Sequence, residues 1–436
     1  MPRVSLTLAL LVPLVAIFLV LRSFDDLAAF ARVQLASWPF AFHPDDNAQD
    51  AAQIHLKQPF SSDSHSHSTS QKQHQDLNVE GKAGGSTDVG EEKGFTRRIV
   101  AVGDLHGDLG NALKVLHMAN VVDGEGQWSG GVDFFVQTGD IIDRGDDTIK
   151  LYAWMDDLRE QSLKKGGTVL TNLGNHEWMN VIGDWRYVHQ SEIATFGTSE
   201  KRMARLMRGR IGKTWAANYT TTSRLPLHPS LGPPNTDYDP TDDSPLSHAA
   251  VSFVHGGLAP DYPDLTPFPS RINELGSSLL YKLQHRNPPP APHPPHPYPG
   301  LPSDATPAEQ QLYGTNGPLW YRGWALEPEQ KVCSAVDDVL QRTGTRRMIM
   351  GHTPNFEKIV SRCGGKIIII DTGISHAYGG VLSALSIEYS LTPISAEEGL
   401  STGNQKLWKE REVVSAVYED HKEILASSEQ ELVGEF

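Results

Sequence analysis

Cysteine is nearly missing from this 436-residue chain: only Cys333 and Cys363 are present. That excludes a disulfide-stapled scaffold and a thiolate zinc site, while one disulfide between the two remains compatible with the sequence. Positive charge is also scarce. Lys and Arg number 38 against 53 Asp and Glu, a net charge of −15, which excludes a generally basic nucleic-acid binder. No Gly-rich P-loop pattern occurs, so a kinase or ATPase reading fails. Neither cysteine has the histidine-flanked context of a nucleophile, which counts against a cysteine phosphatase. Apolar residues make up 39% of the chain, low enough that part of it is expected to lie outside a packed core.

Long apolar runs are absent except for one. Residues 4–21 are eighteen residues without a charge, flanked by Arg3 and Arg22. That length falls between a secretory h-region and a membrane span, and the position at the N-terminus favours a signal-anchor over a buried helix. Phe24, Leu27, Ala28, Ala31, Leu35 and Trp38 recur at helical spacing, as in a short juxtamembrane amphipathic helix. Residues 43–94 are rich in Gln, Ser, His, Asp, Gly and Lys and read as a flexible linker. The expected organisation is therefore a signal-anchor or signal peptide (1–23), a juxtamembrane helix and linker (24–96), a globular domain (97–395) and an acidic tail (396–436). The last 27 residues hold eight acids and two bases. Proline-rich stretches near 226–245 and 287–302 read as surface insertions.

From residue 97 onward, apolar runs of strand length recur at 99–102, 133–138, 168–173, 250–254, 348–350 and 367–370. Helical patterns such as 109–118 and 148–160 lie between several of them. This alternation predicts an α/β fold with covered sheets, whose ligands gather at the carboxyl ends of strands.

Five polar clusters stand at those ends: Gly103-Asp104-Leu105-His106-Gly107-Asp108, Gly139-Asp140-Ile141-Ile142-Asp143-Arg144-Gly145, Gly174-Asn175-His176-Glu177, His255-Gly256-Gly257 and Gly351-His352-Thr353-Pro354. Residues two apart in an extended segment face one side, so Asp104 and His106 can address one metal. Asp140 can bridge two cations, and Arg144 can reach a phosphoryl oxygen. Taken singly, each cluster is an ordinary turn or surface ion pair. Together they supply carboxylates, one amide and three imidazoles, a donor mixture suited to two first-row metals ~3.5–4 Å apart and too rich in nitrogen for calcium or magnesium alone.

Over roughly residues 97–385 this set resembles the phosphoprotein phosphatase branch of the calcineurin-like metallophosphoesterases. Glu177 after the Asn-His pair and Asp143-Arg144-Gly145 favour that branch. Pro318-Leu319-Trp320-Tyr321-Arg322-Gly323, followed by Gly-His-Thr-Pro, is similar to the Shewanella-like protein phosphatases. The main eukaryotic enzymes carry Ser-Ala-Pro-Asn-Tyr where this chain has Ile370-Asp371-Thr372-Gly373-Ile374-Ser375. The resemblance implies a β-sandwich flanked by helices. It implies one metal ion (Mn, Fe or Zn) on Asp104, His106 and Asp140, and a second on Asp140, Asn175, His255 and His352. Arg144 and Arg322 would clamp the phosphate, and His176, oriented by Asp143, would protonate the leaving oxygen.

The implied activity is metal-dependent hydrolysis of a phosphomonoester, foremost of a phosphoprotein at Ser/Thr or Tyr. Two other readings stay open: a dinucleoside polyphosphate or polyphosphate hydrolase on the same scaffold, and a membrane-tethered scaffold without catalysis. Asn218-Tyr219-Thr220 is an N-glycosylation acceptor pattern. With the N-terminal run it predicts a single-pass membrane enzyme whose catalytic domain faces the lumen or exterior. A secreted form and a cytosol-facing domain are the alternatives.

Overall fold

A computed structural model of the protein describes residues 94–394 and 406–436. The predicted anchor, juxtamembrane helix and nearly all of the linker lie outside the described residues. Among the described residues no helix is long and apolar enough to cross a membrane.

The apolar runs become strands that serve two interiors at once. The chain first lays down β1 (Phe95–Val102), β2 (Phe134–Gln137), β3 (Thr168–Asn172) and β4 (Tyr219–Thr220). A second sheet follows from β5 (Thr222–Pro226), β6 (Ala250–Val254), β7 (Arg347–Met350), β8 (Val360–Arg362) and β9 (Ile367–Ile369). The chain then returns to the first sheet as β10 (Ser383–Pro393), β11 (Leu407–Tyr418) and β12 (Lys422–Val433). The orders are β12-β11-β10-β1-β2-β3-β4 and β5-β6-β7-β9-β8. Side chains alternate faces along a strand. Phe134, Val136, Val251, Phe253, Ile349 and Ile368 accordingly meet between the sheets, while Phe135, Val254, Met348, Met350, Ile367 and Ile369 join a second core. Strands buried on both faces read as unbroken apolar runs, which is why these were visible in the sequence.

Helices supply the cover. They are α1 (Leu109–Met118), α2 (Thr148–Lys164), α3 (Asn175–Ile182), α4 (Gln190–Phe196), α5 (Ser199–Met207), α6 (Arg210–Asn218), α7 (Ser270–Gln284), α8 (Pro307–Tyr313), α9 (Gly323–Leu326) and α10 (Glu329–Thr343). In α1 the Asp108 side chain caps the first turn by accepting from the Asn111 N–H, and Leu109, Ala112, Val115 and Leu116 are buried at helical spacing. The result is a mixed α/β architecture of two stacked sheets flanked by helices.

The stretch expected as an acidic tail requires a correction. From residue 407 it forms β11 and β12, antiparallel extensions of the first sheet. In β11 the positions Trp408, Val414, Ala416 and Tyr418 point into the sandwich, and Glu410 and Glu412 share that phase and are buried. Arginines satisfy them. Arg346 donates to both oxygens of Glu410 at 2.8 and 2.9 Å, and Arg347 Nε donates to Glu412 at 2.7 Å. Paired charges thus occupy inward positions, and the period-two signal was masked by the acidic composition.

Cys333 on α10 and Cys363 after β8 are joined in a disulfide. The second proline-rich insertion docks through its backbone on the turn after α3: the His293 N–H donates to Gly183 C=O at 2.8 Å, and the Trp185 N–H to His293 C=O at 2.6 Å.

Candidate active site

Every predicted site residue except Arg322, which caps the start of α9, sits just past a strand or in the turn that follows it. Asp104 and His106 follow β1, Asp140, Asp143 and Arg144 follow β2, Asn175 and His176 open α3 after β3, His255 follows β6, and His352 follows β7. Parallel pairing of β1 with β2, β2 with β3, and β6 with β7 brings these ends together. Glu177, noted only as a family marker, is the staple. Its carboxylate accepts the N–H groups of Asp140 (2.9 Å), Ile141 (2.8 Å) and Gly174 (2.7 Å) and the Tyr152 hydroxyl (2.8 Å). The turns then pack backbone on backbone: a Cβ on Gly139, whose φ is +103°, would stand 2.4 Å from Gly174 N. Among the described residues, eight non-glycine residues have positive φ, and five of them are His106, Asp140, Asp143, Arg144 and His352. Such strain concentrates where surrounding structure fixes a functional geometry.

Eight of the ten predicted residues line one cleft: Asp104, His106, Asp140, Arg144, Asn175, His176, Arg322 and His352. His255 and Asp143 lie directly behind it, both fully buried. Tyr187, Trp320 and Tyr378 complete the lining and were not predicted as site residues.

The donor atoms face one another. His106 Nδ1 bonds Ile142 C=O (3.1 Å) and His255 Nδ1 bonds Thr138 C=O (3.0 Å). A carbonyl only accepts, so each Nδ1 carries the proton and each Nε2 presents a lone pair. His106 Nε2 points toward Asp104 Oδ2 and Asp140 Oδ2, 3.8 Å from each. His255 Nε2 lies 2.8 Å from Asn175 Oδ1 and 3.3 Å from Asp140 Oδ2. His352 Nε2 is buried without a partner. Lone pairs this close repel unless cations lie among them, and backbone carbonyls fixing the far ring nitrogen are the usual support for imidazole ligands. The residues present therefore fit a pair of metal ions.

The charges agree. Burial, helped by His176, pushes His106 down to about 3. Burial, with His255 and Arg322, holds His352 well below its usual range. Both rings are thus neutral, as ligation requires. Burial raises Asp104, and Asp371 and Asp140 raise it further. Asp371, in the segment that replaces Ser-Ala-Pro-Asn-Tyr, is a third buried carboxyl, pushed by burial to about 6. Crowded carboxyls of this kind are stabilised by bound cations.

His176 differs from the other imidazoles. Its Nδ1–H donates to Asp143 Oδ2 at 2.7 Å, and its Nε2 lies 3.8 Å from Asp140 Oδ2. Burial pushes its pKa down, but the Asp140 charge and the Asp143 hydrogen bond outweigh burial and raise it. A cation would offset the Asp140 charge, leaving Asp143 as the partner that favours the protonated ring.

Arg144 stacks between Tyr187 and Tyr378, 4.5 and 4.7 Å from their ring centres, and its Nε is buried without a partner. Arg322 has one nitrogen, Nη1, engaged with His352 C=O (2.9 Å) and Thr353 Oγ1 (3.1 Å). A lysine there cannot both hold that turn and contact phosphate. Arg322→Lys is expected to weaken inhibition by phosphate or vanadate about 10-fold or more, the worth of one charge-assisted hydrogen bond. Titrating each inhibitor against both enzymes checks this, and unchanged inhibition would remove Arg322 from the phosphate site.

Strand ends that converge buried imidazoles and carboxylates under two arginines define a dinuclear metallohydrolase. Residues 97–356 match the calcineurin-like phosphoesterase family, and the chain belongs to that family. Over 301 residues it is 36% identical to an uncharacterised protein of Schizosaccharomyces pombe, covering 67% of this chain and 78% of that one. Over 316 residues it is 27% identical to Shewanella-like protein phosphatase 2 of Arabidopsis thaliana, covering 64% and 71%. The cold-active protein-tyrosine phosphatase of a psychrophilic Shewanella shares the fold, with a TM-score of 0.52 and 22% identity over 76% of this chain and 80% of that one. The chain is a phosphatase, a hydrolase of a family built on a dinuclear metal centre.

Proposed function

We propose that the enzyme is a protein phosphatase that hydrolyses phosphomonoesters on Ser/Thr or Tyr side chains. The observation that carries this reading is the cation content of the cleft. Arg144 and Arg322 are the only cationic side chains among its described lining residues apart from the histidines. Two forks suit one phosphoryl group, whereas a polyphosphate needs a longer cationic track. The names of the relatives support the same substrate class.

In this reading Asp104, His106 and Asp140 would hold one metal, and Asp140, Asn175, His255 and His352 the other. Mn, Fe and Zn suit this mixture of imidazole, carboxylate and amide. When bound, the pair supplies Lewis acidity and makes water nucleophilic at neutral pH, for in-line attack on phosphorus. Arg144 and Arg322 orient the phosphoryl group and neutralise charge on its equatorial oxygens. His176, its proton held on Nε2 while Asp143 holds Nδ1–H, donates to the leaving oxygen. A panel of phosphotyrosine, phosphoserine and phosphothreonine peptides, run with each metal against inorganic polyphosphate and a dinucleoside polyphosphate, tests the reading. Turnover of phosphopeptides above the polyphosphates is expected, and the reverse order would overturn it.

The proposed location is a membrane with the catalytic domain on its lumenal or exterior side. The Cys333–Cys363 disulfide suits an oxidising compartment, and Asn218 of the acceptor pattern is exposed at the end of α6. Full-length protein made in eukaryotic cells is expected to shift on glycosidase treatment, and Asn218→Gln is expected to abolish the shift. An unglycosylated domain digested by protease on the cytosolic face of sealed vesicles would place it on the other side.

A further inference from the structure

Behind the His176–Asp143 pair, away from the cleft, lies a buried polar network that the reaction scheme above does not use. The two oxygens of Asp143 have separate partners. Oδ2 accepts from His176 Nδ1, while Oδ1 accepts from Asn180 Nδ2 at 2.9 Å and from Arg202 Nη2 at 3.2 Å. Arg202 comes from α5 and is completely buried. Its Nη1 donates to Asn180 Oδ1 at 2.6 Å, and its Nη2 also donates to Glu192 Oε1 at 2.9 Å. Thr148 Oγ1 donates to the same Glu192 oxygen at 2.8 Å. The guanidinium lies 4.5 Å from the Trp185 ring centre, so it is held from above as well.

A guanidinium has donors only. By occupying Asn180 Oδ1 it dictates the orientation of that amide, and the amide then points its NH2 at Asp143 and at His176 C=O, 2.8 Å away. A reversed amide would set its oxygen against the Asp143 carboxylate. Arg202 thus reaches Asp143 by two routes, directly and through Asn180. With Oδ1 taken, Oδ2 is left to the imidazole alone. This pinning matters because Asp143 stands in the left-handed region at φ +72°, where its own backbone does not favour it.

We propose that Arg202 is a positioning residue for the phosphatase reaction: from α5, with Asn180, it locks Asp143 so that His176 holds one ring orientation and one proton placement toward the leaving oxygen. The inference rests on the reading of His176 as the proton donor. It makes α4 and α5, which carry none of the residues lining the cleft, part of the catalytic support.

Arg202→Lys keeps a charge but cannot address three acceptors in one plane. Arg202→Met strips the guanidinium from two buried carboxyls, leaving Glu192 without its cationic partner and Asp143 with only His176 and Asn180, a change that can prevent folding. The double variant Arg202→Met/Glu192→Gln removes one charge of each sign and serves as the main test. Turnover is measured on p-nitrophenyl phosphate, whose leaving group needs little protonation, and on phenyl phosphate, whose leaving group needs more. Metal content is measured alongside, with His176→Asn and Asp143→Asn as references.

The expected result is wild-type metal content, a loss of about 10-fold or more in kcat on phenyl phosphate, bounded by the ~10²–10⁴-fold of losing a general acid outright, and a clearly smaller loss on p-nitrophenyl phosphate. Adding Asp143→Asn should cost little further, because both changes act on one unit. Equal losses on the two substrates, or none, while His176→Asn keeps its leaving-group dependence, would overturn the role of Arg202 and leave the His176 reading standing. If His176→Asn itself shows no leaving-group dependence, both fall.

Discussion

Asp140→Asn is expected to lower turnover by about 10³-fold or more, the equivalent of several kcal/mol of lost charge stabilisation. The geometry gives the reason. Asp140 Oδ1 accepts the His176 N–H at 2.8 Å, and Oδ2 faces His106, His176 and His255 Nε2 at 3.8, 3.8 and 3.3 Å. In an asparagine the amide oxygen would take the place of Oδ1, because only an oxygen can accept that N–H. The NH2 would then point at the cluster of imidazoles, offering no lone pair to a metal. Both proposed metals lose a shared ligand and a charge together. Burial raises Asp140, but the surrounding histidines, His255 and His176 foremost, outweigh it and hold the carboxyl well below the usual range. Metal analysis beside kcat checks the expectation, and near wild-type turnover with two metals bound would end the two-metal assignment.

His176→Asn is expected to lower kcat by ~10²–10⁴-fold, the usual contribution of a positioned general acid, with metal content retained. The ring lines the cleft, and its Nδ1 is committed to Asp143. Burial raises Asp143, but the hydrogen bond and charge of His176, with Arg202 beside them, hold it below the usual range. Asp143 therefore stays ionised and can stabilise the protonated ring. Yet His176 Nε2 also converges with His106 and Asp140 closely enough to offer itself to a cation. The two roles separate cleanly in a measurement. Loss of a metal on substitution would make His176 a ligand, and an equal loss of rate across good and poor leaving groups would exclude proton donation.

All ten predicted site residues converge at one place, and nine of them do so because each belongs to a short motif at the end of a strand, where the pattern depends on local spacing. Arg322 was the exception in kind. Its contacts with His352 and Thr353 cross a long stretch of chain, and the resemblance of residues 318–323 to the Shewanella-like protein phosphatases marked it out. Tyr187, Tyr378, Asp371 and Arg202 belong to no local pattern that announces their role. Tyr378 reaches the site by packing against Arg144 and the His106 ring, and Asp371 by lying beside Asp104. Contacts between residues so far apart in the chain leave no periodicity to read. The strands β11 and β12 were hidden for a different reason. Glu410 and Glu412 occupy inward positions of β11, which is possible only because Arg346 and Arg347 meet them, and a composition count cannot anticipate that pairing.

The placement of β1 has a consequence for how the enzyme is made. Ile99 pairs with Phe134 on one side and with Ile387 on the other, so the strand leading to Asp104 and His106 is seated only when β10 arrives. A growing polypeptide adds ~5–20 residues each second, so β1 waits on the order of tens of seconds for its second neighbour, with apolar faces meant for the sandwich left uncovered. Pairing between such distant segments is slow to form even in the finished chain. The strand that leads to Asp104 and His106 therefore gains its second neighbour only once β10 has been made, after the Asp104, Asp140, Asn175 and His352 motifs are already in the chain.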